Sequence, residues 1–484
     1  MASLLFYMLI YDRVDYTIFY DSNGRLSRRL GFFEKLFLTM AEVQSRGSVA
    51  TVLLLESTVK LSKESLHNAL LMVLKRFPLL RMRVTEKREE LYFEEMEDPQ
   101  QLDFTTIDDV TVDNWLEVFE RQVNGEMFDV RKGPLWRVRL LKEVSHKSGS
   151  HGTYKNAIVF KFHHVIGDAL AIFELKKKLL EYLDFVYYQR EFEVKSLPFR
   201  PPIEVLMGHQ TKPKIWVNLN RKLNWFSGNP KPRNLYLAVF PPADRRSKRM
   251  TCVVPRSLGV KETSAIVKCS KANKCTVNGA VTAATHLAMA RLLLNNSQDL
   301  KTPLFLDTTY TVNIRNECKP KIGSEEFGLY ATSNTLQMSI PSEDAGNETF
   351  WDFARECTNT VREGIRKGSH LNFLNRVQYV DVKTLRAVNS NDVDHAFSQT
   401  LFLLMNLGSI QINQNQDSPY RFAGAHLGVK SDNNGYIFRH AMFTVNGKLY
   451  WSMDYFPHLT SKIQAEEFLD LSLDILLKAC VMSR

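Results

Sequence analysis

Apolar and polar positions along the 484-residue chain repeat with two periods, the helical and the strand, and both occur in each half. Between positions 62 and 77 the residues Leu66, Ala69, Leu70, Val73, Leu74 and Phe77 fall on one face at helical spacing. Ser62 stands where an N-cap belongs, Glu64 lies in the first turn and Pro78 stops the helix. Stretches 49–56 and 80–84 read as flanking strands. From 156 to 164 the pattern alternates, so Ile158, Phe160, Phe162 and His164 share one face while Lys161 and His163 point the other way. Gly167 lets the chain turn, Asp168 stands as the cap of the next helix, and Ile172, Leu175, Leu179 and Leu183 form that helix's apolar stripe. The second half is mixed as well. A helix is predicted over 276–294, an alternating strand over 304–315, a hairpin over 436–456 around Asn446-Gly447 and a final helix over 461–480.

Between 191 and 248 the pattern breaks. Pro198, Pro201, Pro202, Pro213, Pro230, Pro232, Pro241 and Pro242 interrupt any long element, which marks a linker between two α/β halves. Within it Ile215, Leu219, Leu223 and Phe226 align on one helix face, near Trp216 and Trp225 and among Lys212, Lys214, Arg221 and Lys222. Such a basic amphipathic stretch over 212–226 is suited to peripheral membrane contact, or to packing on the protein's own surface; the second needs less special pleading. No internal repeat is visible, so the chain reads as globular domains and not as an array.

Composition narrows the class. The chain is 44% apolar and 24% charged, ordinary globular values, and its formal charge of +10 favours anionic partners. Net charge alone supports no nucleic-acid function, because no recognition module accompanies it. Six cysteines with no C-x-x-C spacing argue for buried thiols in a reducing, cytoplasmic setting and against a zinc site or disulfide framework. The apolar run 4–10 is too short to span a bilayer and lacks a basic n-region, so neither a secretory nor a transmembrane segment is expected.

The chemistry concentrates at His163-His164-Val165-Ile166-Gly167-Asp168. A histidine at the end of a buried strand can act as a general base, since desolvation keeps its imidazole neutral. A metal reading would need His163, His164 and Asp168 around one ion, but adjacent strand residues face opposite sides. A satisfied core histidine beside a capping aspartate is the plain alternative.

With these residues the chain resembles the CoA-dependent acyltransferases of the chloramphenicol acetyltransferase-like fold, a group that includes alcohol O-acetyltransferases, wax ester synthases, polyketide-associated acyltransferases and peptide-synthetase condensation domains. Their H-H-x-x-x-D-G motif reads His163 to Ala169 here. Arg29-Leu30-Gly31 with Glu34, Arg76-Phe77-Pro78-Leu79-Leu80-Arg81, Gly133-Pro134-Leu135-Trp136-Arg137, Asn313-Ile314-Arg315 and Asn406-Leu407-Gly408 match further family segments in the same order. Ala169 stands in place of the motif's glycine, and Met405 in place of the serine of S-N-L-G. The resemblance implies an N-terminal extension over 1–28, an acyltransferase half over 29–190, the linker over 191–248 and a second half over 249–484, with the active-site tunnel between two similar mixed sheets. It implies that His164 is the catalytic base, that His163, Asp168 and Arg315 are structural, with Asp168 turned from the pocket onto Arg315, and that Asn406 is an oxyanion donor. Acyl-CoA is the implied co-substrate, an alcohol or amine the acceptor, and no cofactor is tightly bound. Two alternatives accompany this reading: a non-catalytic lipid- or acyl-carrier-binding protein of the same fold, and condensation-type amide formation in trans.

Overall fold

The computed structural model describes residues 16–44, 46–148, 151–208, 234–242, 249–301, 303–340, 347–372, 374, 400–412, 414–431 and 436–482. Two six-strand sheets organise it. In the first, strands run in the order Tyr420–Val429, Ser48–Ser57, His151–His163, Trp136–Lys142 and Phe104–Thr111, and Val144–Ser148 adds to His151–His163. Its pairings are antiparallel apart from Phe104–Thr111 with Trp136–Lys142. The second orders Cys252–Leu258, Lys448–Tyr455, Phe438–Val445, Phe402–Ile410, Leu304–Asn313 and Ala331–Ile340. A smaller four-stranded sheet joins Phe19–Tyr20, Leu26–Arg29, Glu90–Glu95 and Met82–Lys87.

Helices cover the sheets where their apolar stripes dictate. Ser62 caps helix Lys63–Arg76 through the Ser65 amide, and Leu66, Ala69, Leu70, Val73 and Leu74 are its buried face. They meet Ile172, Leu175, Leu179 and Leu183 of helix Ala169–Tyr187 in one core with Phe160 and Phe162. At about 1.5–3 kcal/mol for each such side chain buried, that face outweighs the helix's own propensities. The hairpin turn is type I′, with φ of 47° at Asn446 and 83° at Gly447. The predicted strand over 80–84 starts later, because Pro78–Arg81 forms a 3-10 turn before strand Met82–Lys87.

Strand Tyr420–Val429 belongs to the second half of the chain yet pairs with Ser48–Ser57 along its whole length, so it crosses from one half into the sheet of the other. Only short helices occur in the described parts of the linker, Ile203–Met207 and Leu235–Val239. The former is buried with Phe33, Ile314, Cys318, Ile322, Leu329 and Tyr330 in a core shared by both halves. The stretch 212–226 and the run 4–10 lie outside the described residues. No described helix is long and apolar enough to cross a membrane. All six cysteines are free thiols, Cys269 partly exposed and the others buried.

Glu204 makes this shared core sensitive to pH. Its Oε1 accepts the Phe33 amide at 2.5 Å and its Oε2 is buried without a partner. Burial, and then the charge of Glu34, raises its pKa from 4.5 to about 7. The folded chain therefore holds this proton more tightly than the unfolded chain does. Its favourable contribution is complete below the unfolded value and is lost as pH rises through about 7. Glu204→Gln is expected to flatten the decline in urea midpoint across that window; parallel pH profiles of variant and parent would count against it.

Candidate functional site

The histidine strand ends at His163, and His164 opens a 3-10 turn, His164–Ile166. The alternation predicted for 156–164 thus stops one residue early. The two rings still part company: His163 lies 6.2 Å from the Phe128 ring, whereas His164 lies 4.4 Å from Phe37 on helix Phe32–Gln44. Gly47, at φ 81°, makes the turn into strand Ser48–Ser57 and presents its carbonyl to the His164 amide at 2.7 Å.

His163 is fully buried, and its Nδ1 accepts the Val165 amide at 3.1 Å. That bond places the proton of the neutral ring on Nε2. Burial, then the neighbouring His164 and Lys161, lowers its pKa to about 3. His163 therefore holds the turn and stays neutral. His164 alone among residues 163–169 is more than marginally exposed. Desolvation by the surrounding protein lowers its pKa as well, with Asp168 opposing the shift and Arg439 adding to it. Its Nδ1 is buried without a partner.

Asp168 faces away from that ring. Its Oδ1 accepts the Ala171 amide, capping helix Ala169–Tyr187, and Arg315 Nη2, both at 2.9 Å. Its Oδ2 accepts Arg315 Nη1 and the Tyr330 amide, also at 2.9 Å. Both residues are 3% exposed, and Asn313 Oδ1 accepts from the Arg315 amide at 3.1 Å. The loop after Arg315 completes the clamp: Gly328 O accepts the Asp168 amide at 3.0 Å, and a Cβ at Gly167 would lie 3.0 Å from the Phe327 ring. Only glycine permits that approach without movement.

Asn406 lies on strand Phe402–Ile410. It registers with Met442 on the face of Phe402 and Leu404, while Leu403, Met405 and Leu407 pack toward the core that contains the motif. Its Oδ1 accepts the Gly408 amide at 2.9 Å in the bulge between Asn406 and Ser409. The structure therefore unites Asp168 with Arg315 and turns Asn406 to the opposite side of its strand from Met405. Among the described residues no group of three His, Cys, Asp or Glu side chains has the arrangement of a metal site. Ala169 is 8% exposed within the motif's core.

Sequence reasoning missed Phe37, Phe327 and the buried pair Arg439–Asp454. The last had a signal: each is a charge inside a mostly apolar strand, Phe438–Val445 and Lys448–Tyr455. The two phenylalanines had none, since aromatic residues are ordinary core.

A sequence comparison with curated proteins gives no match. Residues 252–410 match the model of the phthiocerol/phthiodiolone dimycocerosyl transferase C-terminus. Among solved structures, trichothecene 15-O-acetyltransferase from Fusarium sporotrichioides superposes with a TM-score of 0.71 at 14% identity, covering 96% of this chain and 97% of that one. Polyketide synthase associated protein 5 from Mycobacterium tuberculosis gives 0.63 at 13% identity, with 94% and 99% covered. The condensation domain of the monacolin K polyketide synthase MokA gives 0.64 at 13% identity, with 94% and 97% covered. At such identities the likeness establishes the fold.

Proposed function

We propose, for a chain with the two-lobed fold of the CoA-dependent acyltransferase and condensation-domain superfamily, an acyl transfer from a thioester donor to a hydroxyl or amine acceptor, with His164 as general base. One observation carries this reading. His164 is the accessible member of an otherwise buried motif, and desolvation holds its ring in the proton-accepting form. The acceptor's proton moves to the imidazole as its oxygen or nitrogen attacks the donor carbonyl; the thiolate then leaves and takes that proton back. Asp168 and Arg315 do not touch the reactants in this scheme. They fix the turn from which His164 projects, and Phe37 holds the ring's other side.

Acyl-CoA is the proposed donor, since the chain's charge of +10 suits a phosphate-bearing carrier. The test is free-thiol release by the purified full-length chain, with acetyl-CoA and longer acyl-CoAs against a panel of alcohols and amines. Acceptor-dependent release that yields the ester or amide is expected. Release from no acyl-CoA, alongside transfer from a carrier-bound thioester, would move the donor to acyl-carrier protein; release from neither would remove the enzyme reading.

A further inference from the structure

The thiols of the second half take no part in the transfer chemistry, yet two of them meet. Cys269 stands on helix Val260–Ala272, and Cys480 in the last turn of helix Lys462–Met482. The Cys269 Sγ donates to the Cys480 carbonyl oxygen at 3.5 Å. A carbonyl oxygen lies about 2.4 Å from its own Cα, so the Cys269 sulfur is within about 6 Å of the Cys480 Cα. In a disulfide, with its S–S bond near 2.05 Å, that separation is about 4 Å. Closing a bridge here therefore takes rotation of two side chains and an approach of at most about 2 Å.

The backbone on both sides is held. The Cys269 carbonyl accepts the Asn273 amide and the Asn273 Nδ2, both at 2.9 Å. Around Cys480, Leu476 and Ala479 are buried in one core with Ile266 of the facing helix. The two thiols differ in access: Cys269 alone among the six is partly exposed, and Cys480 is buried. Burial, and then the Cys269 thiol beside it, pushes the Cys480 pKa up to about 12. Cys269 is thus the thiol that an oxidant reaches, with Cys480 behind it as the resolving partner. Among the described residues these thiols belong to no group arranged for a metal.

We propose that Cys269 and Cys480 are a peroxide-oxidised disulfide site that clamps helix Lys462–Met482 to helix Val260–Ala272. The Cys269 thiolate attacks hydrogen peroxide: an S–O bond forms, the O–O bond breaks, and the departing hydroxide takes up the thiol's proton as water. The Cys480 sulfur then attacks the sulfenic sulfur: S–S forms, S–O breaks, and the hydroxyl leaves with the Cys480 proton as a second water. Two thiols and one peroxide give one disulfide and two waters, the sulfurs oxidised and the peroxide oxygens reduced. Reducing thiols reverse the bridge, so in a reducing compartment it is transient. Closed, it joins positions 211 residues apart and restricts the unfolded chain. It also fixes a helix whose Phe468 ring packs on Phe402 and Phe438 of the second sheet, at 5.5 and 4.7 Å.

The test treats the reduced full-length chain with hydrogen peroxide, alkylates the remaining thiols under denaturing conditions and maps the peptides by mass spectrometry. A peptide pair joining Cys269 to Cys480 within one chain is expected, absent before treatment and released by dithiothreitol. In Cys480→Ala the bridge should be missing and dimedone should trap Cys269 as its sulfenic acid; in Cys269→Ser, Cys480 should stay alkylatable. The urea midpoint of the treated parent should exceed that of the reduced parent, and treatment should not raise it in Cys269→Ser. A bridge between any other pair, cross-links between chains, or overoxidised Cys269 beside a free Cys480 overturns the site. An unchanged or lowered midpoint in the bridged chain overturns the clamp. The peptide map of the parent decides the pairing without any variant, so a Cys480→Ala chain that does not fold leaves the proposal open to refutation.

Discussion

His164→Ala is expected to lower turnover by about 10² to 10⁴, the usual contribution of a positioned general base. The substitution removes the one accessible polar side chain of the motif and leaves the turn's supports in place, since the Gly47 and Gly328 carbonyls bind backbone amides and Asp168 binds Arg315. The loss should therefore appear in kcat, with donor KM and the unfolding midpoint close to the parent's. The pH profile carries a second signature. Desolvation places the folded pKa of His164 below its ordinary 6.5, so the parent's rate should hold steady through neutrality and fall only at more acid pH, where the ring takes up a proton. In His164→Ala that acid limb should vanish along with most of the rate. Thiol release and product formation at saturating donor, measured across the pH range, check both. A variant with turnover within about threefold of the parent would place the base elsewhere, because a lost base costs far more.

Much of this architecture is legible in the amino-acid sequence where local patterning and tertiary need agree. Helix Lys63–Arg76 with its Ser62 cap, helix Ala169–Tyr187 with its Asp168 cap and the Asn446-Gly447 hairpin each combine a period with a terminator, and these lie almost where the pattern predicts them. Strand Tyr420–Val429 shows the opposite case. Nothing in residues 420–429 says that their partner is Ser48–Ser57, some 370 positions earlier, because register between distant strands is set by the assembled sheet. The same limit applies at the site. The Asp168–Arg315 contact comes from the family resemblance, not from spacing. Phe37 and Phe327 reach the motif through long-range packing that no local period encodes. Asn406 adjoins a bulge, between Asn406 and Ser409, that no local period encodes.

Asp168→Ala is expected to destabilise the chain by about 3–5 kcal/mol, because it leaves a buried guanidinium without its counter-ion. Arg315 is 3% exposed, its Nε is already unpartnered, and its two Nη groups bond to the two carboxylate oxygens. The same substitution removes the cap of helix Ala169–Tyr187 and the acceptor of the Tyr330 amide, and a lost cap alone costs about 1 kcal/mol. Arg315→Met should cost less. The carboxylate would keep the Ala171 and Tyr330 amides, and the apolar chain of methionine could still pack against Tyr330, over which the guanidinium lies at 5.0 Å. In Asp168→Ala/Arg315→Met neither charge is left buried alone, so the double variant should be more stable than the sum of its single variants predicts. Because the pair joins the motif turn of the first half to the end of strand Leu304–Asn313 in the second, its loss should also loosen His164 and lower kcat even in chains that remain folded. Urea unfolding of the parent, the two single variants and the double variant, paired with turnover below the transition, checks both effects. Asp168→Ala within about 1 kcal/mol of the parent, or strict additivity in the cycle, would show that the contact does not couple the halves.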